Sequence, residues 1–176
     1  SQFGVDSMNW IKSQYEQMAQ GRNDVTTELV QHSFKQPSVI VTIQGKSLPD
    51  EIVVLGGHAD SINQSVIFGR ANMLAPGADD NASGTATLME VFRVMMANNF
   101  RPDRTIKFMA YAGEEEGLLG SQDIANQFKR TNKIVVAALQ FDMTAFAGSG
   151  QQISFMTDYV SPDLTLFSER LVREYV

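Results

Sequence analysis

The sequence predicts an α/β fold, with a mostly parallel mixed β-sheet flanked by helices on both faces. Three observations support this prediction. Short apolar runs typical of buried strands alternate with segments whose apolar residues recur at helical spacing. Two early β-rich runs are separated only by Lys35-Gln36-Pro37, which favours a hairpin and an antiparallel edge. Acidic residues or a histidine follow three of the later strands where those strands end, as expected at the ligand-binding edge of such a sheet.

The first half of the chain begins with a predicted helix over 6–19, for which either Asp6 or Ser7 is available as the N-cap. Its apolar residues are spaced at helical intervals: Met8, Ile11, Tyr15 and Met18. Two strands over 26–34 and 38–44 form the hairpin. A continuous apolar run over 52–55 predicts a buried strand over 50–58, and the segment over 61–78 is expected to be a surface loop.

The second half alternates helices and strands. A helix over 83–98 has the core stripe Leu88, Val91, Phe92, Met95 and Met96. The remaining predicted elements are a strand over 104–112, a helix over 118–130, strands over 134–142 and 152–157, and a helix over 162–175. This last helix has Pro162 near its first turn and a predicted inward face of Leu164, Phe167, Leu171 and Val172.

Composition limits the function classes. The 176 residues are 43% hydrophobic and 19% charged, which predicts one globular domain spanning 1–176. The net charge of −6, without a Lys/Arg cluster, argues against nucleic acid as a partner. The apolar runs are too short to cross a membrane. The absence of cysteine excludes disulfides and thiolate metal ligands.

Four motifs place one histidine and several carboxylates where strands end or helices begin. They are Gly56-Gly57-His58-Ala59-Asp60, the loop Pro76-Gly77-Ala78-Asp79-Asp80-Asn81-Ala82-Ser83-Gly84, Tyr111-Ala112-Gly113-Glu114-Glu115-Glu116, and Gln140-Phe141-Asp142-Met143. Like charges gathered at one edge are unfavourable unless a cation offsets them, so the motifs together predict a metallohydrolase site.

Each motif also has a purely structural interpretation. Acids that precede a helix cap it or complement its dipole, which accounts for one of Asp79 and Asp80 and is also the structural interpretation of Glu114, Glu115 and Glu116. A single His58 in a turn can simply bond to the backbone. The other histidine, His32, is expected in an edge strand among polar neighbours, without a role as a ligand.

Taken together, the four motifs resemble those of the di-zinc M28 aminopeptidases, most of all the secreted bacterial leucyl aminopeptidases of the Vibrio/Aeromonas type. The resemblance implies a zinc-exopeptidase (phosphorylase/hydrolase-like) fold and two Zn²⁺ ions per complete domain. It implies that Asp80 bridges both ions, that His58 and Asp142 complete one site, and that Glu115 ligates the other. Glu114 would be the general base and Asp60 the partner of His58.

The resemblance also implies a reaction and a substrate. The enzyme would hydrolyse the N-terminal bond of peptides or proteins and prefer apolar, Leu-like first residues, whose side chain Met143 and Met156 would contact. Polarisation of the scissile carbonyl on zinc and proton transfer by Glu114 would drive the reaction. Members of the family are usually monomeric, and export to the periplasm or the extracellular space is implied in the same way.

This chain departs from the family in one important respect. The second zinc-binding histidine of the family belongs to a C-terminal segment that this sequence does not contain, and an N-terminal helical segment is also missing. We therefore expect an incomplete catalytic domain with one zinc site weak or empty. We also expect exposed apolar surface, reduced stability and self-association.

Two alternatives remain open at this stage. One is an inactive metal-binding or interaction domain of the same fold. The other is a related reaction, such as that of a carboxypeptidase or a glutaminyl cyclase.

Overall fold

One five-stranded mixed sheet is present in the computed structural model, which describes residues 2–63, 73–145 and 153–176. The chain divides into a first unit that ends at Ala145 and a second unit that follows it. The elements of the first unit are α1 (Gln2–Ala19), β1 (Val25–Val30), β2 (Ser38–Ile43), β3 (Leu48–His58), an irregular helical turn (Ala78–Ser83), α2 (Gly84–Ala97), β4 (Arg104–Tyr111), α3 (Leu119–Arg130) and β5 (Ile134–Gln140). The second unit contains α4 (Pro162–Tyr175).

The strand order in the sheet is β1-β2-β4-β3-β5. β1 and β2 form the predicted antiparallel hairpin, and β2 pairs antiparallel with β4. β3 lies between β4 and β5 and is parallel to both. Four strands of this sheet, all but β2, therefore run in one direction, and the carboxyl ends of β3, β4 and β5 lie at the same edge.

Two apolar cores lie on opposite faces of the sheet. On one face α1 and α2 pack on alternate residues of β2 and β4, and the centre of this core is an aromatic cluster of Tyr15, Phe92 and Phe108. The ring centroids are 5.0 Å apart for Tyr15 and Phe92 and 5.4 Å apart for Phe92 and Phe108, both nearly perpendicular. On the other face Ile124 of α3 packs against β2, β3 and β4. The predicted α/β fold with helices on both faces is confirmed.

Helix α4 lies in the second unit. The hydroxyl oxygen of Ser161 accepts a hydrogen bond from the backbone N–H of Leu164, and Pro162 follows at the first helical position. None of its residues is buried. The predicted inward face is therefore wrong for Phe167 and Leu171, which are exposed. In the described part of this unit, residues 153–176, α4 is accompanied by no other helix or strand that could cover this face.

The structure corrects several further expectations. α1 begins at Gln2, so Asp6 and Ser7 lie inside the helix; Asp6 accepts a hydrogen bond from Gln2 and Ser7 donates one to the Gly4 carbonyl. β1 ends at Val30, where its pairing with Ser38 ends, and His32 is therefore not in a strand.

The strand predicted over 152–157 is absent from its described part, residues 153–157, because no neighbouring strand pairs with them. Residue 152 lies outside the described residues, as do residues 64–72 of the predicted loop over 61–78. In the described parts of the chain, no helix combines the length and the hydropathy that a membrane span requires.

Candidate metal centre

The parallel strands bring three of the four predicted motifs to one edge of the sheet. β3 ends at His58, whose register partner on β4 is the terminal residue Tyr111. On the other side Gly56 of β3 is the partner of Gln140, the last residue of β5. The segments that follow β4 and β5, with Glu114 and Asp142, therefore emerge beside His58.

A cluster of three side chains at this edge has the geometry of a metal site. One ligand atom from each of His58, Asp80 and Asp142 lies within 4.8 Å of the other two. The Nε2 atom of His58 is 3.0 Å from Asp80 Oδ1 and 3.5 Å from Asp142 Oδ2. Imidazole nitrogen and carboxylate oxygen are preferred ligands of Zn²⁺, and three protein ligands leave a position open for water or substrate. The donor set therefore fits a catalytic divalent cation.

The tautomer of His58 also suits a metal ligand. Its Nδ1 atom lies 3.0 Å from the carbonyl oxygen of Asp60, and because a carbonyl only accepts, Nδ1 carries a hydrogen. In the neutral imidazole the lone pair is then on Nε2, which faces the two carboxylates. The side chain is only 2% exposed, so the ring is held in this orientation.

Asp60 links the histidine to the acidic turn after β4. Its carboxylate accepts hydrogen bonds from the backbone N–H groups of Glu114, at 3.0 Å, and Glu115, at 3.2 Å. The same carboxylate is 3.7 Å from His58 Nδ1, so the hydrogen bond to the imidazole is made by the Asp60 carbonyl. Asp60 thus contacts both His58 and the backbone of the two glutamates, whereas only the contact with His58 was predicted.

Asp80 lies in an irregular turn that the chain holds against the end of β5. The peptide bond from Asp80 to Asn81 is cis, and neither residue has helical dihedral angles. The side chain of Asn81 donates to the carbonyl of Phe141 and accepts from the backbone N–H of Gly84 and Met143. Asn81 therefore joins the segment of Asp80 to the segment of Asp142.

This role of Asn81 was not predicted from the sequence. The signal that could have indicated it was the amide itself, because an amide can both donate to a carbonyl and accept from N–H groups, whereas an ionised carboxylate only accepts. A second set of bonds strengthens the same junction: Ser83 and Asp79 accept from the backbone N–H groups of Thr144 and Ala145.

The electrostatics of the cluster reflect one histidine buried among several carboxylates. Burial works to lower the pKa of His58, but Asp60, Asp142 and Glu114 outweigh it and raise the pKa to about 9. Burial raises the pKa of Glu114, and the charges of Asp60 and Asp142 add to that effect against the opposing influence of His58. Burial also raises the pKa of Asp142. A divalent cation at the centre would favour the ionised carboxylates and the neutral imidazole.

The other predicted site residues take different places. Glu114 Oε2 is 3.9 Å from His58 Nε2, at the border of the cluster. Burial and then the charge of Asp80 raise the pKa of Glu115, although Glu115 is not a member of the three-residue cluster found among the described residues. Met143 directly follows Asp142 and is half exposed, whereas Met156 belongs to the second unit and is strongly exposed. Contact of both methionines with a substrate stays a prediction.

The chain is similar in sequence and in structure to known peptidases. A family model described as Peptidase family M28 matches residues 38–176. The chain is 39% identical over 188 residues to leucine aminopeptidase 1 of Fusarium vanettenii, which covers 99% of this chain and 47% of that protein. Among solved structures, LapB from Legionella pneumophila is 38% identical with a TM-score of 0.85, covering 99% of this chain and 47% of that chain.

The Legionella pneumophila LapA aminopeptidase is 35% identical with a TM-score of 0.84, and the match covers 99% of this chain and 46% of that chain. This chain therefore spans about half the length of the relatives that it matches.

Proposed function

Because this chain belongs to peptidase family M28, we propose that its three-residue cluster is part of the catalytic centre of a zinc-dependent aminopeptidase. The observation that carries the proposal is the convergence of His58, Asp80 and Asp142 within 4.8 Å, with the carboxylate of Glu114 beside them. The names of the Fusarium and LapA relatives support the aminopeptidase reaction and, for the former, a preference for leucine.

In this proposal His58, Asp80 and Asp142 hold one Zn²⁺, and Glu115 with Asp80 faces a second, weaker position. Three protein ligands are typical of a catalytic zinc, whereas two bind an ion much less tightly. When bound, zinc supplies Lewis acidity that polarises the scissile carbonyl and lowers the pKa of the attacking water. The proposal is therefore one tightly held ion and a second position that binds weakly.

Other residues are proposed to transfer the proton, to position the site and to contact the substrate. Glu114 takes a proton from the attacking water on its carboxylate and passes it to the leaving amine, and its raised pKa brings it closer to the neutral range in which such transfer is efficient. Asp60 holds the backbone of Glu114 and Glu115 and fixes the tautomer of His58. Met143 and Met156 are proposed to receive an apolar first side chain. The finer likeness to the Vibrio/Aeromonas enzymes, and export from the cell, are also proposed on the resemblance alone.

The experiment compares hydrolysis of leucine p-nitroanilide by the chain, by Glu114→Gln and by Glu116→Gln, all with added zinc. Glu116 is the matched control because it is the next glutamate in the turn and is exposed. We expect Glu114→Gln to lower kcat by about 10²–10⁴-fold, the usual contribution of acid–base catalysis, while zinc affinity and the Glu116→Gln rate stay close to the original values.

Two results would overturn the proposal. One is unchanged turnover in Glu114→Gln. The other is equal hydrolysis of the substrate with an acetylated amino group, which would indicate a different peptidase reaction. If the chain does not turn over, binding of leucine hydroxamate replaces the rate as the readout: zinc-dependent binding supports the proposal, and its absence contradicts it.

A further inference from the structure

The second histidine takes part in a buried chain of hydrogen bonds outside the metal cluster. The side chain of His32 is only 1% exposed. Its Nδ1 atom is 2.7 Å from Asp123 Oδ2 on α3, and its Nε2 atom is 2.8 Å from Ser38 Oγ at the start of β2. Because an ionised carboxylate only accepts, Nδ1 donates to Asp123, and Nε2 of the neutral ring then accepts from the Ser38 hydroxyl.

The chain of bonds continues to the acidic turn. The hydroxyl oxygen of Ser38 accepts a hydrogen bond from the backbone N–H of Ala112, at 3.0 Å. Ala112 is two residues before Glu114, and both Ser38 and Ala112 are fully buried, so water cannot replace this bond at low cost. Asp123, His32 and Ser38 therefore connect the solvent-facing side of α3 to the backbone from which the turn of Glu114 and Glu115 begins.

A stacking contact supports the same turn. The ring of Phe34 lies parallel to that of His32, with centroids 4.9 Å apart and an angle of 13° between the planes. The edge of Phe34 would be 3.3 Å from a Cβ atom on Gly113, a residue whose positive φ of 64° starts the turn. The backbone N–H groups of Leu119 and Gly120 also hold this segment, since they donate to the carbonyls of Gly113 and Ala112.

The order Ser38, His32, Asp123 is that of a catalytic triad, but these residues cannot serve as a nucleophilic centre. Ser38 is 0% exposed, and its oxygen already accepts the N–H of Ala112. A scissile carbonyl has no access to it, whereas a nucleophilic serine must reach the substrate. The three side chains therefore hold the backbone at Ala112 in place.

We propose that His32 is a positioning residue of the proposed metal centre: held by Asp123, it acts through Ser38 to fix the backbone turn that presents Glu114 and Glu115. The inference rests on the proposed function, because the effect on the site matters only if Glu114 transfers a proton and Glu115 binds metal. Its structural content, the order of the turn, is independent of any metal.

The test uses three variants and one control. Ser38→Ala removes the link to Ala112, and Asp123→Ala removes the acceptor that orients His32. Asp123→Asn keeps an oxygen that accepts from Nδ1 and is the conservative rescue. Thr105→Val is the matched control, because the buried Thr105 hydroxyl accepts the N–H of Gly45 in the same way at the other end of β4.

The first readout is amide hydrogen exchange of the metal-free proteins at Glu114 and Glu115. We expect exchange there to accelerate about 10-fold or more in Ser38→Ala and Asp123→Ala, and to stay near the original rate in Asp123→Asn and Thr105→Val. Equal rates in all variants, or acceleration at these amides in Thr105→Val as well, would overturn the inference.

The second readout is zinc affinity, measured by competition with a chromophoric chelator. We expect a loss of about 10-fold in Ser38→Ala and Asp123→Ala, at the lower end of the usual effect of residues that orient metal ligands, with recovery in Asp123→Asn. Unchanged affinity would contradict the link to the metal centre. If the original chain binds no zinc, the proposed function fails, and the exchange rates still decide whether His32 positions the turn.

Discussion

Asn81 shows how one side chain can determine the geometry of a site without touching the reacting atoms. The sequence indicates the acids around it, and Asp80 and Asp142 are both found in the cluster. Asn81 itself is less conspicuous in the sequence, because Asn and Asp are equally good residues at the start of a helix. Two of its three bonds to backbone groups join the distant segment of Phe141 and Met143, and these depend on tertiary structure, which a local pattern does not contain.

Replacement of Asn81 by alanine is expected to destabilise the protein by about 3 kcal/mol, because the Phe141 carbonyl and the N–H groups of Gly84 and Met143 lose their bonds to this buried side chain and each lost partner costs about 1 kcal/mol or more. Urea unfolding of the metal-free protein measures this change. Asn98→Ala is the control, since exposed Asn98 makes one side-chain bond to the carbonyl of Val94. A similar small loss in both variants would show that Asn81 does not hold the two segments together.

At the scale of elements, an ion-pair cluster joins the connection after α1 to the loop before β4. Asp24 accepts hydrogen bonds from the guanidinium of Arg22, at 3.0 and 2.6 Å, and forms an ion pair with Arg101. The hydrogen bond from Arg22, helped by Arg101, outweighs burial and holds the pKa of Asp24 well below its usual value. Arg22 also donates to the Phe100 carbonyl, which extends the cluster to the end of α2.

This cluster predicts a pH-dependent contribution to stability. Since the pKa of Asp24 is lowered by folding, its contribution is present above the unfolded-state pKa of about 3.9 and is lost as the pH falls below that value. Asp24→Asn should therefore lower the melting temperature at pH 7, by the equivalent of roughly 1 kcal/mol after screening, and by progressively less as the pH falls below about 4.

Thermal unfolding of both proteins from pH 7 to pH 3 measures the difference. Asp103→Asn, which disrupts an exposed pair with Lys46, is the control with a smaller effect. A difference for Asp24→Asn that does not change with pH would contradict the assigned cause.

At the scale of the whole molecule, the sequence predicts the fold well because the alternation of strands and helices is strong and mostly local. The α/β class, the hairpin edge, and the membership of family M28 are all confirmed. The strand predicted over 152–157 is wrong in its described part, residues 153–157, because strand formation there depends on a partner strand that no local pattern supplies. The prediction that His32 lies in an edge strand was wrong for a related reason. Its hydrogen-bond partner Asp123 is 91 residues away in the sequence, which a local pattern does not show.

An exposed apolar strand also affects the whole molecule. β5 pairs with β3 along one side, and its residues Ile134, Val135 and Val136 are 42–54% exposed. Parallel strands normally have both faces covered, so we expect any association between copies of the chain to involve this strand.

We expect the chain to self-associate with increasing concentration and Val136→Lys to reduce this association. Sedimentation velocity over a range of concentrations measures it. Val94→Lys is a matched control, because Val94 is similarly exposed but lies on α2. A chain that stays monomeric at high concentration, or equal effects of the two lysines, would contradict the role of β5.

The most direct test of the metal centre is calorimetric titration of the metal-free chain with Zn²⁺ at pH 7, in buffers of different ionisation enthalpy. We expect one tightly bound equivalent and release of protons, because the neighbouring carboxylates raise the pKa of His58 to about 9 and binding requires its neutral form. His58→Ala should lose the tight site, and Asp103→Asn should keep it. Absence of tight binding, or the same affinity in a folded His58→Ala variant, would contradict a metal centre built on His58, Asp80 and Asp142.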